Sequence, residues 1–328
     1  MAGLDGTWWD GKKVLITGHT GFVGSWLSIV MLHFGAKVTG ISNVVPTRPS
    51  LFEVTNLADK MDDIRLDIRE MGSLREALDR VCPQVIFHLA AQPLVKESYQ
   101  SPLETLEVNV LGTLNLLEVV REFSSPVILI NMTSDKCYEN HGGKVGYKEG
   151  DSLGGRDPYS ASKACSELIT QAYRHSFFSH QHDGPLIRVA SIRAGNIIGG
   201  GDWAQNRLVP DLIRAIGDGR PLVVRYPNAT RPWQHVLEVV NAMCLLSQGM
   251  STRPGVFCDA WNIGPDQSHQ WSVLDVLQYI RNYLGDHCFW TVDEEVQDHE
   301  EMSLALDNTR ARKELKWRPV WETGRAIE

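Results

Sequence analysis

The residues with the clearest chemical potential in this 328-residue chain are Tyr159 and Lys163, which form a Tyr-x-x-x-Lys motif. Positions i and i+4 share one face of a helix, and Asp157 followed by Pro158 is a typical helix start. An ammonium group beside a phenol stabilises the phenolate, so the pKa of Tyr159 is expected to fall from about 10 toward neutrality. The pair would then take a proton from a substrate hydroxyl. The alternative is an ordinary amphipathic helix with exposed side chains, which the motif alone would favour.

A second reactive group, Ser134, Asp135 and Lys136, follows an apolar stretch at residues 127–132. Beside the Tyr159–Lys163 pair, these hydroxyl, carboxyl and amine side chains could hydrogen-bond a substrate and exchange protons with it. A lysine accepts a proton only when it is neutral, so a role as base would require burial or a nearby cation to lower the pKa of Lys136. The structural alternatives are a serine that caps backbone groups and a solvated ion pair at a strand end.

A glycine-rich turn lies upstream of both groups. Gly18, Gly21 and Gly24 follow a short apolar run at 13–17 and open a predicted helix at 21–34. Glycine permits a tight turn and lets backbone N–H groups approach a pyrophosphate at the positive end of a helix dipole. The spacing G-x-x-G-x-x-G differs from the usual dinucleotide fingerprint G-x-G-x-x-G, so the turn taken alone fits plain turn glycines as well.

Strands alternate with helices through the first half of the chain. Further strands are predicted at 37–41, 64–66, 84–89 and 127–132, and further helices at 72–81, 103–123 and 159–178. This alternation predicts an α/β fold with a doubly wound parallel sheet. Ligands bind such sheets beyond the carboxyl ends of the strands, where Gly18, Asp67, residues 90–92 and Ser134 all fall. This shared placement favours a catalytic, dinucleotide-binding interpretation.

Composition limits the classes of partner. The chain is 43% hydrophobic with a net charge of -8, so no nucleic-acid or membrane partner is predicted and an anionic ligand must be held by local groups. Six cysteines lie far apart without zinc spacing, which favours reduced thiols in a cytoplasmic protein and no metal site. The sequence shows no export signal and no apolar stretch long enough to span a bilayer.

Together these motifs resemble the extended short-chain dehydrogenase/reductase family, which includes NAD-dependent epimerases and dehydratases, over residues 12–317. The resemblance is carried by the glycine turn, Asp67, Ile68, residues 90–92, Asn109, Gly112, Thr113, Ser134, Tyr159 and Lys163. Longer strings resemble the branch of 4,6-dehydratases that acts on CDP-glucose, at 17–22, 90–95, 133–138, 193–203 and 231–236. Lys136 fits that branch, whereas related dTDP-glucose dehydratases have glutamate there.

The resemblance implies a Rossmann-type sheet with a smaller C-terminal substrate-binding lobe, NAD as cofactor and CDP-glucose as substrate. Tyr159 would remove the C4 hydroxyl proton as hydride leaves C4, with Lys163 also holding the nicotinamide ribose. Asp135 and Lys136 would act as acid and base in the loss of water across C5 and C6. Return of hydride to C6 would then give CDP-4-keto-6-deoxyglucose. The implied cofactor-binding residues are Gly18, His19, Gly21, Phe22, Gly24, Asp67, Ile68, Ala90, Ala91, Gln92, Asn109, Tyr159 and Lys163.

The residues themselves leave the choice between NAD and NADP open. The second strand runs into Asn43 without the acidic residue that often binds the adenosine ribose in NAD enzymes. Arg48 could bind the 2′-phosphate of NADP. Alternatively, it could be a solvated loop residue. Asp67 is expected to contact adenine, with a turn or helix-cap role as its alternative.

Substrate recognition is expected from the second half of the chain. Asn196 can hydrogen-bond a diphosphate, and Arg225 and Arg231 can supply planar, charge-assisted donors to it, although each arginine also fits a surface role. Trp203 or Trp233 could stack on the pyrimidine or serve a hydrophobic core, and the sequence does not choose between them.

Two domains are predicted: an NAD-binding domain of residues 1–195, completed by 234–263, and a nucleotide-sugar-binding lobe of 196–233 and 264–328. By resemblance, the helices at 103–123 and 159–178 would form a four-helix homodimer interface, with a tetramer also open; their apolar faces fit an intrachain core equally well. The resemblance also predicts a helix beyond Glu328 and suggests bacterial surface-polysaccharide synthesis. Three competing functions stay open: another nucleotide-sugar 4,6-dehydratase, a 4-epimerase and a non-catalytic dinucleotide sensor. Of these, the 4-epimerase needs no acid and base at Asp135 and Lys136.

Overall fold

The computed structural model describes residues 4–142, 146–178, 187–266, 270–293 and 302–328. Apolar, β-branched runs form most of its strands, as expected for segments buried on both faces of a sheet. In chain order the strands are β1 (Lys13–Thr17), β2 (Lys37–Ser42), β3 (Asp62–Arg65), β4 (Val85–His88), β5 (Val127–Met132), β6 (Ile187–Ala194), β7 (Ile197–Ile198), β8 (Leu222–Val224), β9 (Thr230–Arg231), β10 (Gln234–His235), β11 (Ala260–Ile263), β12 (Trp271–Ser272) and β13 (Trp290–Val292).

Seven of these strands form one parallel sheet in the order β3-β2-β1-β4-β5-β6-β11. The predicted doubly wound parallel sheet is therefore confirmed. The chain winds outward in one direction from β1 to β3 and in the other from β4 to β11, so the strand order reverses between β1 and β4. A crevice opens at such a reversal, outside the carboxyl ends of the strands, and it is where these sheets bind ligands.

Helices connect the strands and cover both faces of the sheet. They are α1 (Phe22–His33), α2 (Leu51–Val54), α3 (Met71–Val81), α4 (Val95–Gln100), α5 (Pro102–Leu106), α6 (Gly112–Arg121), α7 (Pro158–Tyr173), α8 (Leu208–Gly217), α9 (Val236–Thr252), α10 (Pro254–Phe257), α11 (Val273–Leu284) and α12 (Thr323–Ile327). Wider π-helical turns link α5 to α6 and extend α7, at Glu107–Leu111 and Arg174–Phe178. The helices predicted at 21–34, 72–81, 103–123 and 159–178 are confirmed to within two residues at each end.

Two hydrophobic layers sandwich the sheet. On one face α1 and α9 pack through side chains such as Leu27, Met31 and Val240. On the other, α3 and α6 contribute Leu78 and Leu116, and the outer turns of α7 pack beside them. Burial of these faces is the main driving force for the fold. Among the described helices, none is long and apolar enough to cross a membrane.

The C-terminal part of the chain adds both a strand and a second cluster. After α9, β11 returns to the central sheet and pairs with β6. Short strands pair as β7 with β10, β8 with β13 and β9 with β12. Around them α8, α11 and α12 enclose a separate hydrophobic cluster that includes Leu212, Trp233, Leu277 and Ala326. The domain limits proposed from the sequence stay a prediction.

Candidate active site

A cleft of about 520 Å³ opens at the carboxyl ends of the central strands and extends toward the C-terminal cluster. Most residues singled out in the sequence line it, although they come from distant segments. They are Gly18, Gly21, Phe22, Gly24, Asp67, Ile68, Ala90, Ala91, Ser134, Asp135, Lys136, Tyr159, Lys163, Asn196, Arg225 and Arg231. The fold thus brings the cofactor, catalytic and substrate candidates to one place.

The turn after β1 forms the floor of the cleft at the strand-order reversal. Gly18 has a φ of +75°, and a Cβ there would lie 2.7 Å from the backbone nitrogen of Ala90 after β4. Only glycine therefore fits between the two strand ends. Helix α1 begins directly after Gly21, and no side chain caps its first amide groups. Since Gly21 to Gly24 line the cleft, this helix start can bind the pyrophosphate of a dinucleotide.

Tyr159 is held at the start of α7 by the local sequence. Asp157 caps the helix by accepting a hydrogen bond from the Ser160 backbone N–H at 2.9 Å, and Pro158 occupies the first turn. The Tyr159 ring is only 8% exposed. Burial raises the pKa of Tyr159 to about 12, opposed by a hydrogen bond with Ser134. The prediction that the pKa of Tyr159 falls toward neutrality is therefore wrong, because burial outweighs the Ser134 hydrogen bond and the positive charge of Arg207.

Lys163 lies one turn further along α7 and is 6% exposed. Its Nζ donates to the Met132 carbonyl at 3.5 Å, at the end of β5. Burial lowers the pKa of Lys163 to about 8, and Glu167 acts in the opposite direction. The lysine is thus a cation that is easily deprotonated. Behind it His88 stays neutral, because burial lowers its pKa to about 3.

The short turn after β5 places Ser134, Asp135 and Lys136 together. Ser134 caps this turn, since its Oγ accepts from the Lys136 backbone N–H at 3.2 Å, and it donates to Oδ1 of Asp135 at 2.9 Å. Asp135 is 3% exposed, and its Oδ2 has no hydrogen-bond partner among the described residues. Burial raises the pKa of Asp135, opposed by the charges of Lys136 and Arg231. The carboxyl group is therefore suited to hold a proton, while Lys136 lies half-buried beside it.

Asp67 lines the cleft but its carboxylate already has partners. Arg69 donates to it from Nε at 3.0 Å, from Nη2 at 2.7 Å and from its backbone N–H at 2.9 Å. Asn43 donates from Nδ2 at 3.3 Å. The turn role considered for Asp67 is thus present alongside its place in the cleft wall. Arg48, whose side chain is 85% exposed, pairs loosely with Glu53 and is not among the lining residues.

His19, Gln92 and Asn109 lie behind the cleft wall rather than among its lining residues. His19 is fully buried, with Nε2 2.9 Å from Asp63. Asn109 joins two elements: its Oδ1 accepts from the Gln92 backbone N–H at 2.8 Å and its Nδ2 donates to Ser162 of α7 at 2.8 Å. These contacts support the 90–92 segment and α7, and a direct contact of these three residues with the cofactor stays a prediction.

The candidate substrate residues approach from two further segments. A Cβ on Gly195 would lie 2.2 Å from the Pro232 ring, so glycine at this position lets the Asn196 segment pack against the segment that carries Arg231. Arg231 is 3% exposed and its charge acts on Asp135. Trp233 lines the cleft, whereas Trp203 does not. Both Asn196 and Arg225 are half-buried at the cleft wall.

Sequence reasoning missed Arg207, which lies just before α8 and lines the cleft. Its Nη1 donates to Oδ2 of Asp202 at 3.0 Å, and its positive charge lowers the pKa of Tyr159. The signal that could have indicated it is a basic residue before an amphipathic helix, downstream of the glycine-rich segment.

The sheet order and the cleft define a dinucleotide-binding α/β protein of the Rossmann type. The sequence profile of the GDP-mannose 4,6-dehydratase family matches residues 15–328, and the chain belongs to this family. CDP-glucose 4,6-dehydratase of Salmonella typhimurium strain LT2 is 42% identical over 97% of this chain and 89% of its own length. UDP-glucose 4-epimerase of Mycoplasma pneumoniae is 24% identical over 94% of this chain and 92% of its own length.

Solved structures share the fold across nearly the whole chain. UDP-glucose 4-epimerase of Thermotoga maritima, determined with UDP-glucose, superposes with a TM-score of 0.81, 20% identity and 96% coverage of both chains. dTDP-glucose 4,6-dehydratase of Bacillus anthracis, determined with NAD, gives a TM-score of 0.79, 21% identity and coverage of 97% of this chain and 94% of that one. The resemblance inferred from the motifs is thus confirmed for family and fold.

Proposed function

We propose that the chain is an NAD-dependent CDP-glucose 4,6-dehydratase, a hydro-lyase that forms CDP-4-keto-6-deoxyglucose and water. One observation carries the proposal: the buried Asp135 carboxyl lies beside the Ser134–Tyr159 pair with one oxygen unpartnered among the described residues. A 4-epimerase needs the pair but not this additional acid. The 42% identity to the Salmonella enzyme supports CDP-glucose as the substrate.

Oxidation at C4 is assigned to Tyr159, Ser134 and Lys163. Ser134, whose hydroxyl donates to Asp135 in this structure, would donate to the C4 oxygen instead when substrate is bound. Tyr159 would accept the hydroxyl proton as the C4–H bond breaks. When bound, NAD supplies the hydride acceptor and later donor, and in its oxidised form a positive charge that favours the phenolate. Arg207 adds positive charge that favours the phenolate. The raised pKa of Tyr159 makes its phenolate a strong base for this proton. Because the product keeps its ketone at C4, the phenol must pass the proton to solvent before the next cycle.

Elimination is assigned to Asp135 and Lys136. A ketone at C4 acidifies the hydrogen on C5, so loss of water needs one group to take that proton and another to protonate the departing C6 oxygen. Asp135 suits the acid because burial raises its pKa and its Oδ2 makes no other hydrogen bond within the described ranges. Lys136, adjacent to it, would take the C5 proton in its neutral form.

Binding is divided between two regions. Residues 1–195 with 234–263 would bind NAD. Its pyrophosphate would lie at the start of α1, where no side chain caps the amide groups, and near Gly18, which packs closely against the Ala90 backbone. Residues 196–233 and 264–328 would bind the sugar nucleotide, with Arg231 and Arg225 on the diphosphate. Asn196 would add a hydrogen bond to the same group.

We further propose a homodimer formed through the helices around α6 and α7. Large apolar side chains on this face are exposed in the single chain: Leu103 (69%), Leu111 (43%), Leu168 (51%) and Phe177 (51%). Burial of such residues against a second copy would remove apolar surface from water. A cytoplasmic location is proposed because all six cysteines are free, as expected where thiols stay reduced.

The proposed function is tested by incubating the purified protein with CDP-glucose and NAD and analysing the sugar by mass spectrometry and NMR. We expect a 4-keto product that has lost one water. A C4 epimer would indicate an epimerase, and dehydration of a different sugar nucleotide would indicate another base specificity. Unchanged sugar with every nucleotide donor would indicate a non-catalytic binding protein.

An isotopic version tests the cofactor cycle itself. Deuterium placed on C4 of CDP-glucose should appear in the C6 methyl group of the product, because the hydride is stored and returned within one cleft. Loss of the label to solvent would contradict the assigned sequence of steps.

A further inference from the structure

A buried ion pair lies beneath the catalytic turn. Glu167 is on α7, one turn after Lys163, and Arg193 is on β6; they are 2% and 4% exposed. Arg193 Nη2 donates to Glu167 Oε2 at 2.9 Å. Neither side chain lines the cleft, so the roles proposed above leave both without a function.

Glu167 fixes the backbone on the upstream side of the turn. Its Oε1 accepts from Thr133 Oγ at 2.5 Å, and its Oε2 also accepts from Ser191 Oγ at 2.8 Å. Thr133 immediately precedes Ser134. Because α7 carries both Glu167 and Tyr159, the Thr133 contact ties the residue before the catalytic serine to the helix that holds the catalytic tyrosine.

Arg193 fixes the downstream side of the same turn. Its Nη1 donates to the Tyr138 hydroxyl at 2.8 Å and to the Glu149 carbonyl at 3.0 Å. The guanidinium carbon also lies 4.9 Å from the centre of the Tyr138 ring. Tyr138 in turn donates to Asn262 Oδ1 of β11 at 2.7 Å. Residues 134–137 are therefore held at both ends by one ion pair.

We infer that the Glu167–Arg193 pair is a positioning unit that sets where Ser134 and Asp135 stand relative to Tyr159. Buried ion pairs contribute little net stability compared with apolar residues of similar size, so stability alone does not account for this one. The directional hydrogen bonds that the pair makes to both flanks of the turn explain its presence, since small displacements of reacting groups slow the reaction. The inference rests on the roles proposed for Ser134, Asp135 and Tyr159.

Glu167 also acts electrostatically on Lys163. The titratable groups facing this lysine are Glu167 on its own helix, Cys137 in the turn and His88 on β4. Burial raises the pKa of the Cys137 thiol and lowers that of His88, so both are neutral near pH 7. Glu167 supplies the negative charge among the three and favours protonated Lys163.

Two variants separate geometry from charge. Glu167→Gln removes the charge. Thr133→Val keeps the charge and removes the hydrogen bonds of the Thr133 hydroxyl with Glu167 and, at 3.3 Å, with the Ile192 carbonyl. We expect each to lower kcat by about 10- to 100-fold, consistent with misplaced reacting groups, with KM for CDP-glucose and Kd for NAD changed less than about threefold. Only Glu167→Gln should shift the alkaline limb of the pH–rate profile to lower pH, because the pKa of Lys163 falls further without its anionic neighbour.

Asp259→Asn is the matched control. Asp259 bonds Arg174 just after α7 and Arg310 at 2.9 and 2.8 Å, but it lies before β11, at the opposite end of the sheet from the cleft. This carboxylate-to-amide change should leave kcat and the pH profile unaltered. Equal kcat values for wild type and Glu167→Gln, or an equal loss in Asp259→Asn, would overturn the inference.

Crystal structures provide a readout that does not depend on the reaction. In Glu167→Gln and Thr133→Val the Ser134–Lys136 turn should be displaced from Tyr159 relative to wild type, while the rest of the sheet superposes. An undisplaced turn would refute the positioning role. Wild-type protein that leaves CDP-glucose unchanged would instead refute the proposed function, and the turn displacement would still decide the present inference.

Discussion

Asp135→Asn should make the protein more stable and less active at the same time. The Asp135 carboxyl is buried, and its Oδ2 has no hydrogen-bond partner among the described residues. Because no hydrogen bond to Oδ2 compensates it, burial of the ionised carboxylate costs free energy that the uncharged amide of asparagine avoids. Removal of the charge also loses the attraction of Lys136 and Arg231, which oppose the raised pKa. We therefore expect a net gain of about 1 kcal/mol at neutral pH, within the range of stabilising changes at active sites.

The pH dependence of this gain has a definite sign. Burial raises the pKa of Asp135 above its usual value, so the folded protein binds the proton more tightly than the unfolded chain. The contribution of Asp135 to the stability of the wild type is therefore most favourable below the unfolded pKa of about 4 and declines as the pH rises through the folded pKa. The advantage of Asp135→Asn should be full above that window and vanish below about pH 4.

Thermal unfolding and rapid mixing would measure the two effects. A gain of about 1 kcal/mol corresponds to a rise in Tm of roughly 1–3 °C for a chain of this size. Loss of a general acid should slow dehydration about 10²- to 10⁴-fold, while C4 oxidation continues and the near-ultraviolet absorbance of reduced nicotinamide accumulates. Asp218→Asn, at an exposed ion pair with Arg220, should change neither quantity. A lower Tm or an undiminished dehydration rate in Asp135→Asn would refute the reasoning.

Three further predictions concern the cofactor side of the cleft. Tyr159→Phe should slow C4 oxidation about 10²- to 10⁴-fold in single-turnover assays with NAD still bound, and near-normal oxidation would reject its role. Gly18→Ala should weaken NAD binding at least about tenfold in titration calorimetry, because its Cβ would lie 2.7 Å from the Ala90 nitrogen; Gly219→Ala, with a φ of +65° in open space, controls for backbone strain, and equal Kd values would contradict the steric argument. Turnover should fall as the pH rises through about 8, where Lys163 loses its proton, and a profile that stays flat to about pH 9 would contradict this assignment.

Local sequence was sufficient for the elements that position the cofactor and the catalytic helix. The apolar run of β1 and the capping Asp157 with Pro158 mark their elements without help from the rest of the chain, and both are confirmed. By contrast, β3 carries the charged residues Asp62, Asp63 and Arg65. Its predicted position was shifted toward its carboxyl end, because an exposed edge strand lacks the apolar pattern that identifies the buried strands.

Residue type and spacing identified most of the residues that line the cleft. The contacts of a side chain depend on tertiary packing, which residue spacing along the sequence does not determine. The expected fall in the pKa of Tyr159 was wrong for this reason, since burial outweighs the positive charge of Arg207. Arg207 was missed because its approach to Tyr159 depends on the path of the chain between β7 and α8. The contacts of Glu167 with Thr133 and Arg193 likewise join three separate elements.

The late return of β11 has a consequence for synthesis of the protein. β6 ends at Ala194, whereas its outer neighbour begins at Ala260, so a ribosome must deliver residues 195–259 before the sheet can close on that side. During this interval the open edge of β6 offers unpaired N–H and C=O groups to any other extended chain. Pauses in translation between these two strands should therefore be the period when the nascent protein most needs a chaperone.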